Sequence, residues 1–204
     1  MNQQQNPNSQ MKDSSQMPAQ QSHSAHEIFD ARESIDGLIG TMEHYKMYEQ
    51  GIQDQQLQNI LNSQYQYMSQ LYNTVVDAFQ TGQRPPQPTT NYNMELSNDV
   101  TYGLSPSQPK QPKTNPQQID DQCYSSFMLG HLKNCATSST MAALEATNPV
   151  VRRVFQDSIP NFCEMAYEVF LYQNDNNYYQ VPQFDQQTQN QLLNSYTHTQ
   201  TQQH

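Results

Sequence analysis

The sequence lacks tryptophan and is poor in glycine and basic residues. Its 204 residues include 6 Gly and 9 Lys or Arg, against 19 Asp or Glu, so its formal net charge is -10. No stretch gathers the few cations into a patch, which argues against nucleic acid and anionic membrane surfaces as partners. The scarcity of glycine leaves no glycine-rich loop that could bind a phosphate.

Long hydrophobic runs are also missing. No segment approaches the roughly 18 apolar residues of a membrane span, and the start, Met1 to Pro7, has neither the charge nor the apolar run of a secretion signal. We therefore expect no signal peptide and no membrane insertion. The 3 cysteines, Cys123, Cys135 and Cys163, lack paired zinc-ligand spacing. We expect free, buried thiols, with a contact between Cys135 and Cys163 left open.

Four segments have the apolar periodicity of long helices. The first runs from Ala25 to Gln50 with Ser24 as its N-cap, and the second follows Gly51 with Asp54 as its cap. Each pair of neighbouring helices should fold into a hairpin. The predicted inward positions are Ile28, Ala31, Ile35, Leu38, Met42 and Tyr45 in the first helix, and Leu57, Ile60, Leu61, Tyr65, Met68, Tyr72, Val75 and Phe79 in the second.

The second hairpin begins with a helix from about Ile119 to Ala146. Asn148 is the predicted cap of the fourth helix, with Pro149 at its first position. Pro160 should kink or split that helix by removing a backbone hydrogen bond. The predicted inward positions are Tyr124, Met128, Leu132, Cys135, Ala142 and Ala146, followed by Val151, Val154, Phe155, Ile159, Phe162, Met165, Ala166, Val169 and Phe170.

Composition divides the chain into five segments. Residues 1–24 are rich in Gln, Asn and Ser and should form a disordered arm. Residues 25–81 form the first hairpin, and residues 82–118 form a proline-rich connector long enough to run the height of a bundle. Residues 119–174 form the second hairpin, and residues 175–204 form a Tyr- and Gln-rich tail. Within the connector, Tyr92 to Leu104 should dock as an irregular strap.

The second helix of each hairpin carries an internal repeat. A shift of 94 residues places Leu57 on Val151 and Met68 on Phe162, and it also aligns the caps Asp54 and Asn148. The first helices match much less well and need a slightly different shift. Because neither hairpin can bury its apolar face alone, we predict an all-α four-helix bundle built from the two hairpins.

A duplicated long hairpin raises the hypothesis of a ferritin-like two-metal centre. That centre needs an inward Glu from each of two helices and a Glu-x-x-His from each of the other two. Residues 62–68, at the middle of the second helix, contain neither type, and Glu164 and Glu168 have no histidine partner. His131 lacks a nearby carboxylate and Cys163 lacks a histidine. We therefore predict no catalytic, cofactor-binding or metal-binding residues.

Tyrosine and glutamine are abundant in the segments predicted to be flexible. With Lys110 and Lys113 in the connector, they suit a matrix protein that is cross-linked or packed into an insoluble layer, or they serve as polar filler. The tyrosines expected to be accessible to partners are Tyr92, Tyr102, Tyr178, Tyr179 and Tyr196.

Three stretches together resemble the spore coat protein F-like family of endospore-forming bacilli. They are ALEATNPVVRRVFQDS at 143–158, AYEVFLY at 166–172 and YYQVP at 178–182, with the first hairpin as a more diverged copy. The resemblance implies a ferritin-like fold, synthesis in the mother cell and deposition on the spore surface. Where many such sequences have Glu and His midway along the second helix, this one has Ser, Gln, Tyr, Phe, Cys and Met.

The resemblance implies a non-enzymatic structural component of the spore coat, without cofactors. Its expected partners are other coat proteins or further copies of itself. Two alternatives stay open, a ferritin-like metal-handling or redox protein and a soluble helical-bundle adaptor. The coat layer, the partners, the oligomeric state and any covalent cross-linking are not predicted.

Overall fold

The computed structural model describes residues 17–199, which form an all-α fold. Four long helices carry the fold: α1, Ala25–Glu49; α2, Gln55–Thr81; α3, Asp121–Glu145; and α4, Pro149–Asp175. A short fifth helix, α5, covers Gln186–Leu193. No helix within 17–199 has both the length and the apolar character that a bilayer crossing requires.

Side-chain caps fix where the long helices begin. The Ser24 hydroxyl accepts a hydrogen bond from the backbone N–H of Glu27, and the Asp54 carboxylate accepts one from Leu57. Asn148 accepts two, from the first N–H groups of α4. Each cap satisfies donors that a helix start leaves unpaired, and all three caps are the residues predicted from the sequence.

The four long helices pack in the cyclic order α1, α2, α4, α3. Within each hairpin the helices are antiparallel, and α1 is antiparallel to α3, because the start of each lies at the end of the other. The chain therefore has to travel from the end of α2 back along the bundle to begin α3. This is a four-helix bundle with one long crossover, as expected from the length of the connector.

Buried apolar side chains from all four helices form one continuous core. Most predicted inward positions lie in it or against it, but Ile28, Ile159 and Phe170 do not. Of these, Ile28 has 38% of its surface exposed. Its stripe predicts an inward position, yet α1 buries the neighbouring Glu27 there instead. The largest fully buried side chains include Tyr45, Leu57, Leu61, Met68, Met128, Leu132, Phe162, Met165 and Tyr172.

Residues 87–101 of the connector form a strap along the groove between α2 and α4. The strap starts on α2, where the Tyr67 hydroxyl donates to the carbonyl of Thr90 at 2.7 Å. It then climbs α4, and its last contact joins the N–H of Thr101 to Asn174 at 2.7 Å. A strap is thus confirmed, but it covers 87–101 rather than Tyr92 to Leu104, and Leu104 is 71% exposed. Tyr92 lies buried within it rather than accessible, so that expectation was wrong.

The described parts of both arms, residues 17–24 and 175–199, differ from the expected plain arms. Residues 1–16 and 200–204 lie outside the described residues. Residues 19–21 form a single 3-10 turn, and His23 packs edge-to-face on Phe79. Helix α5 was not predicted, because its Gln-, Thr- and Asn-rich sequence has no apolar stripe to signal a helix. None of its residues is buried.

The repeat is visible in the helix dimensions. Helices α1 and α3 have 25 residues each, and α2 and α4 have 27 each.

Pro160 lies inside α4 on its exposed side and does not split the helix, so that part of the expectation was wrong. A proline on the solvent side leaves the freed carbonyl of the preceding turn accessible to water.

Gly82 ends α2 in a left-handed conformation, with φ at 63°. A Cβ atom at this position would lie 2.3 Å from the carbonyl oxygen of Ala19. We predict that Gly82→Ala lowers the free energy of unfolding by about 2 kcal/mol or more, through backbone strain and this clash. Urea denaturation measures the loss. Gln83→Ala, next to it and exposed, is the control, and an equal effect of both changes would contradict the prediction.

Candidate functional site

Glu27 is a buried carboxylate that holds the turn between α3 and α4. One of its oxygens accepts hydrogen bonds from the N–H groups of Thr147 at 2.7 Å and Asn148 at 2.8 Å, and from the Thr147 hydroxyl at 2.9 Å. The other lies 2.5 Å from Nδ1 of His23. Glu27 is on α1, so the first hairpin clasps the turn of the second.

Asp121 makes the matching contact at the opposite end of the bundle. Its two carboxylate oxygens accept from the N–H groups of Gln53 at 2.9 Å and Asp54 at 3.1 Å, which lie in the turn between α1 and α2. These two positions correspond to Thr147 and Asn148 under the 94-residue repeat. Each hairpin therefore uses an acidic residue in the first turn of its first helix to hold the turn of the other hairpin.

Asn148 connects the Glu27 contact, which we call a clasp together with the matching contact of Asp121, to the remaining segments at the same end of the bundle. Its side-chain amide donates to the hydroxyl of Ser22 at 2.7 Å and to the carbonyl of Gly82 at 3.1 Å. The N-terminal segment, the end of α2 and the start of α4 are thereby joined at one buried residue. The expected role of Asn148 as a cap was therefore correct but incomplete.

We predict that Glu27→Gln lowers the free energy of unfolding by about 3 kcal/mol. The amide removes the charge that strengthens these hydrogen bonds, and it brings an NH2 group toward donors that have no other acceptor. Chemical denaturation gives the value. Glu33→Gln, an exposed change on the same helix, is the control and should stay within about 0.5 kcal/mol of the parent. Equal losses from both changes would show that Glu27 has no special role.

A second buried carboxylate, Glu168 on α4, lies beneath the strap. It accepts hydrogen bonds from the hydroxyl of Tyr92 at 2.5 Å, from the side-chain amide of Gln64 at 3.0 Å and from the N–H of Glu95 at 3.0 Å. The Gln64 oxygen in turn accepts from the hydroxyl of Tyr45 at 2.8 Å. This central cluster links α1, α2, α4 and the strap.

The two tyrosines of this cluster, Tyr92 on Glu168 and Tyr45 on Gln64, are neutral donors. Burial raises the pKa of Tyr45 well above its ordinary value, and burial together with the hydrogen bond to Glu168 raises the pKa of Tyr92. Both hydroxyls therefore keep their protons near neutral pH and donate. A carboxylate whose acceptor positions are filled by the chain's own donors is suited to fastening the strap.

The arrangement offers few ligands to a metal ion. Within residues 17–199 no group of three or more His, Cys, Asp or Glu side chains lies close enough together to hold one. Beside Glu168, a metal site would need a second carboxylate from α2. The residue there is Gln64, whose NH2 group points at Glu168. Sequence reasoning noted Glu168 but missed this cluster, because its members are far apart in the chain and Gln64 carries no charge.

All three cysteines are free. Cys135 is buried and contacts the Thr41 hydroxyl at 3.4 Å, as expected of a core thiol. Cys163 is exposed and Cys123 only half-buried, so the expectation of burial was wrong for these two. No disulfide joins Cys135 and Cys163, the pair that the sequence left open.

His131 belongs to an aromatic cluster where α1 meets α3. Its ring stacks on His44 with centroids 4.7 Å apart, and its Nε2 lies 3.1 Å from the hydroxyl of Tyr48. Partial burial and the neighbouring His44 lower the pKa of His131. No carboxylate hydrogen-bonds to either described ring, so the pair forms part of the contact between the two helices.

A cleft of about 370 Å³ separates α2 from the start of the strap. Its walls carry amides and hydroxyls, with Asp77 as the carboxylate among the lining residues. The buried hydroxyl of Thr89 has no hydrogen-bond partner in the described protein. Without a paired base or a second carboxylate, this cleft does not provide an acid–base pair.

We predict that Glu168→Gln releases the strap and lowers the free energy of unfolding by about 3 kcal/mol, because the new NH2 group would face donors, either the Glu95 N–H or the Tyr92 hydroxyl and the Gln64 amide, and would leave them without an acceptor. Chymotrypsin should cut the variant at Tyr92 under conditions in which the parent resists. Glu164→Gln, on the same helix without a hydrogen bond to the strap, is the control. Unchanged resistance at Tyr92 would contradict this role of Glu168.

The chain matches the Coat F domain over residues 120–182, which covers the second hairpin and its exit. It is also 45% identical to the spore coat protein F-like protein YhcQ of Bacillus subtilis (strain 168) over 177 residues, 87% of this chain and 82% of that protein. The chain belongs to the spore coat protein F-like family. No solved structure matches it. The resemblance inferred from the sequence is thus confirmed, and membership supports a role in the spore coat.

Proposed function

We propose that this chain is a non-catalytic structural component of the spore coat that works by associating with other coat proteins and with itself. The observation that carries the proposal is the use of the buried carboxylates. Glu27 and Glu168, the two buried acidic residues among those described, both accept hydrogen bonds from the chain's own turn and strap. Their chemistry supports the fold.

The surface supplies the means of association in this proposal. Exposed apolar and aromatic side chains are present on the tail and the connector, where Tyr196 is 89% exposed and Leu104 71%. Such groups, carried on segments with few contacts to the bundle, are suited to packing against neighbouring proteins.

We propose synthesis in the mother cell and deposition on the developing spore without secretion.

A measurement of bound metal distinguishes the alternative, a metal-handling or redox protein, from this proposal. Purified full-length protein, loaded with iron(II) or manganese(II) and then freed of excess metal, should contain far less than one equivalent. Near-stoichiometric retention that is lost in Glu168→Gln but kept in Glu164→Gln would favour the alternative, since Glu168 is the carboxylate at the bundle centre.

The coat assignment is tested by a fluorescent fusion to the full chain in a sporulating endospore-forming bacterium. We expect fluorescence to gather around the developing spore and to stay with the spore after the mother cell lyses. Diffuse fluorescence in vegetative cells, or loss of the signal when spores are washed, would overturn the proposal. The unfused fluorescent protein, expressed from the same promoter, is the control for trapping.

A further inference from the structure

Helices α1 and α3 form a side of the bundle that has no cover within the described chain. The large exposed apolar side chains of the four long helices lie on these two helices, while α2 and α4 expose none. The strap already occupies the groove on the α2 and α4 side. The exposed set is Ile28, Phe29 and Met47 on α1, and Phe127, Met141 and Leu144 on α3.

Most of these residues belong to two regular stripes that run along the outer side of the helices. In both stripes the spacing alternates between three and four residues, which keeps one face of a helix together. The ends of each stripe are apolar and its middle is polar or glycine. The stripe of α1 is Phe29, Glu33, Asp36, Gly40, Glu43 and Met47, and the stripe of α3 is Phe127, Gly130, Asn134, Thr137, Met141 and Leu144.

The antiparallel register brings the matching ends of the stripes to the same height. Ser34 contacts Ser138 across the two helices, and the ring of Tyr48 lies 5.8 Å from that of Phe127. Met47 therefore lies level with Phe127, and Phe29 lies level with Leu144. The face has an apolar zone at each end and a smaller, polar zone between them.

Gly40 and Gly130 lie in that middle zone, and no contact within the chain requires glycine at either position. A Cβ atom at either position would meet no atom within 4 Å. Glycine is among the least favourable residues in a helix interior, and alanine would suit an isolated helix better. Small residues on an outer face allow the backbone of another helix to approach closely.

We propose that this face binds the same face of a second copy, related by a two-fold axis parallel to the bundle. Such an axis lays α1 of one copy over α3 of the other at the same height. Phe29 then meets Leu144 of the second copy, Met47 meets Phe127, and Gly40 lies within one helical turn of Gly130. The contact is its own complement, as a two-fold interface requires.

Charge selects this pairing over the other two-fold arrangement, in which α1 would lie on α1. The middle of the α1 stripe carries Glu33, Asp36 and Glu43, and the middle of the α3 stripe carries no carboxylate. Contact of α1 with α1 would oppose acidic groups directly, which is unfavourable. Contact of α1 with α3 instead places Asp36 near Thr137, level with it, and near the amide of Asn134.

The face is large enough for a stable dimer. Helices of 25 residues are about 37 Å long, and two of them side by side are about 20 Å wide. The resulting area of roughly 700 Å² per copy is close to the 800 Å² or so of a standard interface. This inference rests on the proposed function, because it specifies one surface by which the coat protein would associate.

The test introduces a like charge and then removes it. Thr137→Glu places a carboxylate opposite Asp36 of the second copy, and it should raise the dimer Kd about tenfold or more. Asp36→Lys combined with Thr137→Glu should recover most of that loss, because the two positions then carry opposite charges. Sedimentation velocity of the full chain over a range of concentrations measures Kd. Gln66→Glu, exposed on α2, is the control of equal charge and should leave Kd unchanged.

A monomer at all concentrations would overturn the interface. So would a dimer that Thr137→Glu weakens no more than Gln66→Glu does, since the contact would then lie elsewhere. A Thr137→Glu loss that Asp36→Lys does not recover would reject the pairing of α1 with α3. Because coat localisation is measured separately in spores, a monomer that still gathers on the spore surface would reject this interface and leave the proposed function standing.

Discussion

Two carboxylates fix how the hairpins meet, and the remaining structure depends on that register. Glu27 and Asp121 each accept the backbone N–H groups of the opposite hairpin's turn. A turn between long antiparallel helices exposes donors that its own helices do not satisfy, and burying them unpaired costs free energy. With both ends held, sliding one hairpin against the other would break several charge-assisted hydrogen bonds together. The inward stripes are thereby kept at matching heights.

The same kind of interaction fastens the crossover. Glu168 is removed from water, which is unfavourable for a charge unless hydrogen bonds replace its hydration. Tyr92 and Glu95 supply two of those bonds from the strap, and Gln64 supplies one from α2. The strap therefore completes the bundle, because without it the carboxylate at the centre would lack most of its donors. In a ferritin-like metal centre, carboxylates at such inward positions would instead coordinate ions.

Local sequence patterns were sufficient to predict the four long helices, the crossover and three of the four caps, those of α1, α2 and α4. Caps such as Ser24 and Asn148 act within a few residues of their own position, so single-sequence reasoning reaches them. The hydrogen-bond partners of the two buried carboxylates were not recognised, because they lie far away in the chain, 121 positions for Asn148 and Glu27 and 76 for Tyr92 and Glu168. Ile28 fits the period of its stripe, but Glu27 is buried instead, because its carboxylate accepts hydrogen bonds from the turn of the second hairpin. Helix α5 has a side-chain cap, Asp185, but no apolar period to mark it.

The path of the chain gives the bundle two separated points of attachment. The N-terminal segment joins the bundle beside Gly82 and Asn148, whereas the tail leaves α4 at the far end, beyond Asp175. A helix of 27 residues separates these points by about 40 Å. The strap closes the α2 and α4 side. Tension applied through the two ends would act along the helices and would pull the hairpins past each other, so the hydrogen bonds of Glu27 and Asp121 would resist it. The bundle is thus an elongated spacer between the two ends of the chain, and α4 sets its length.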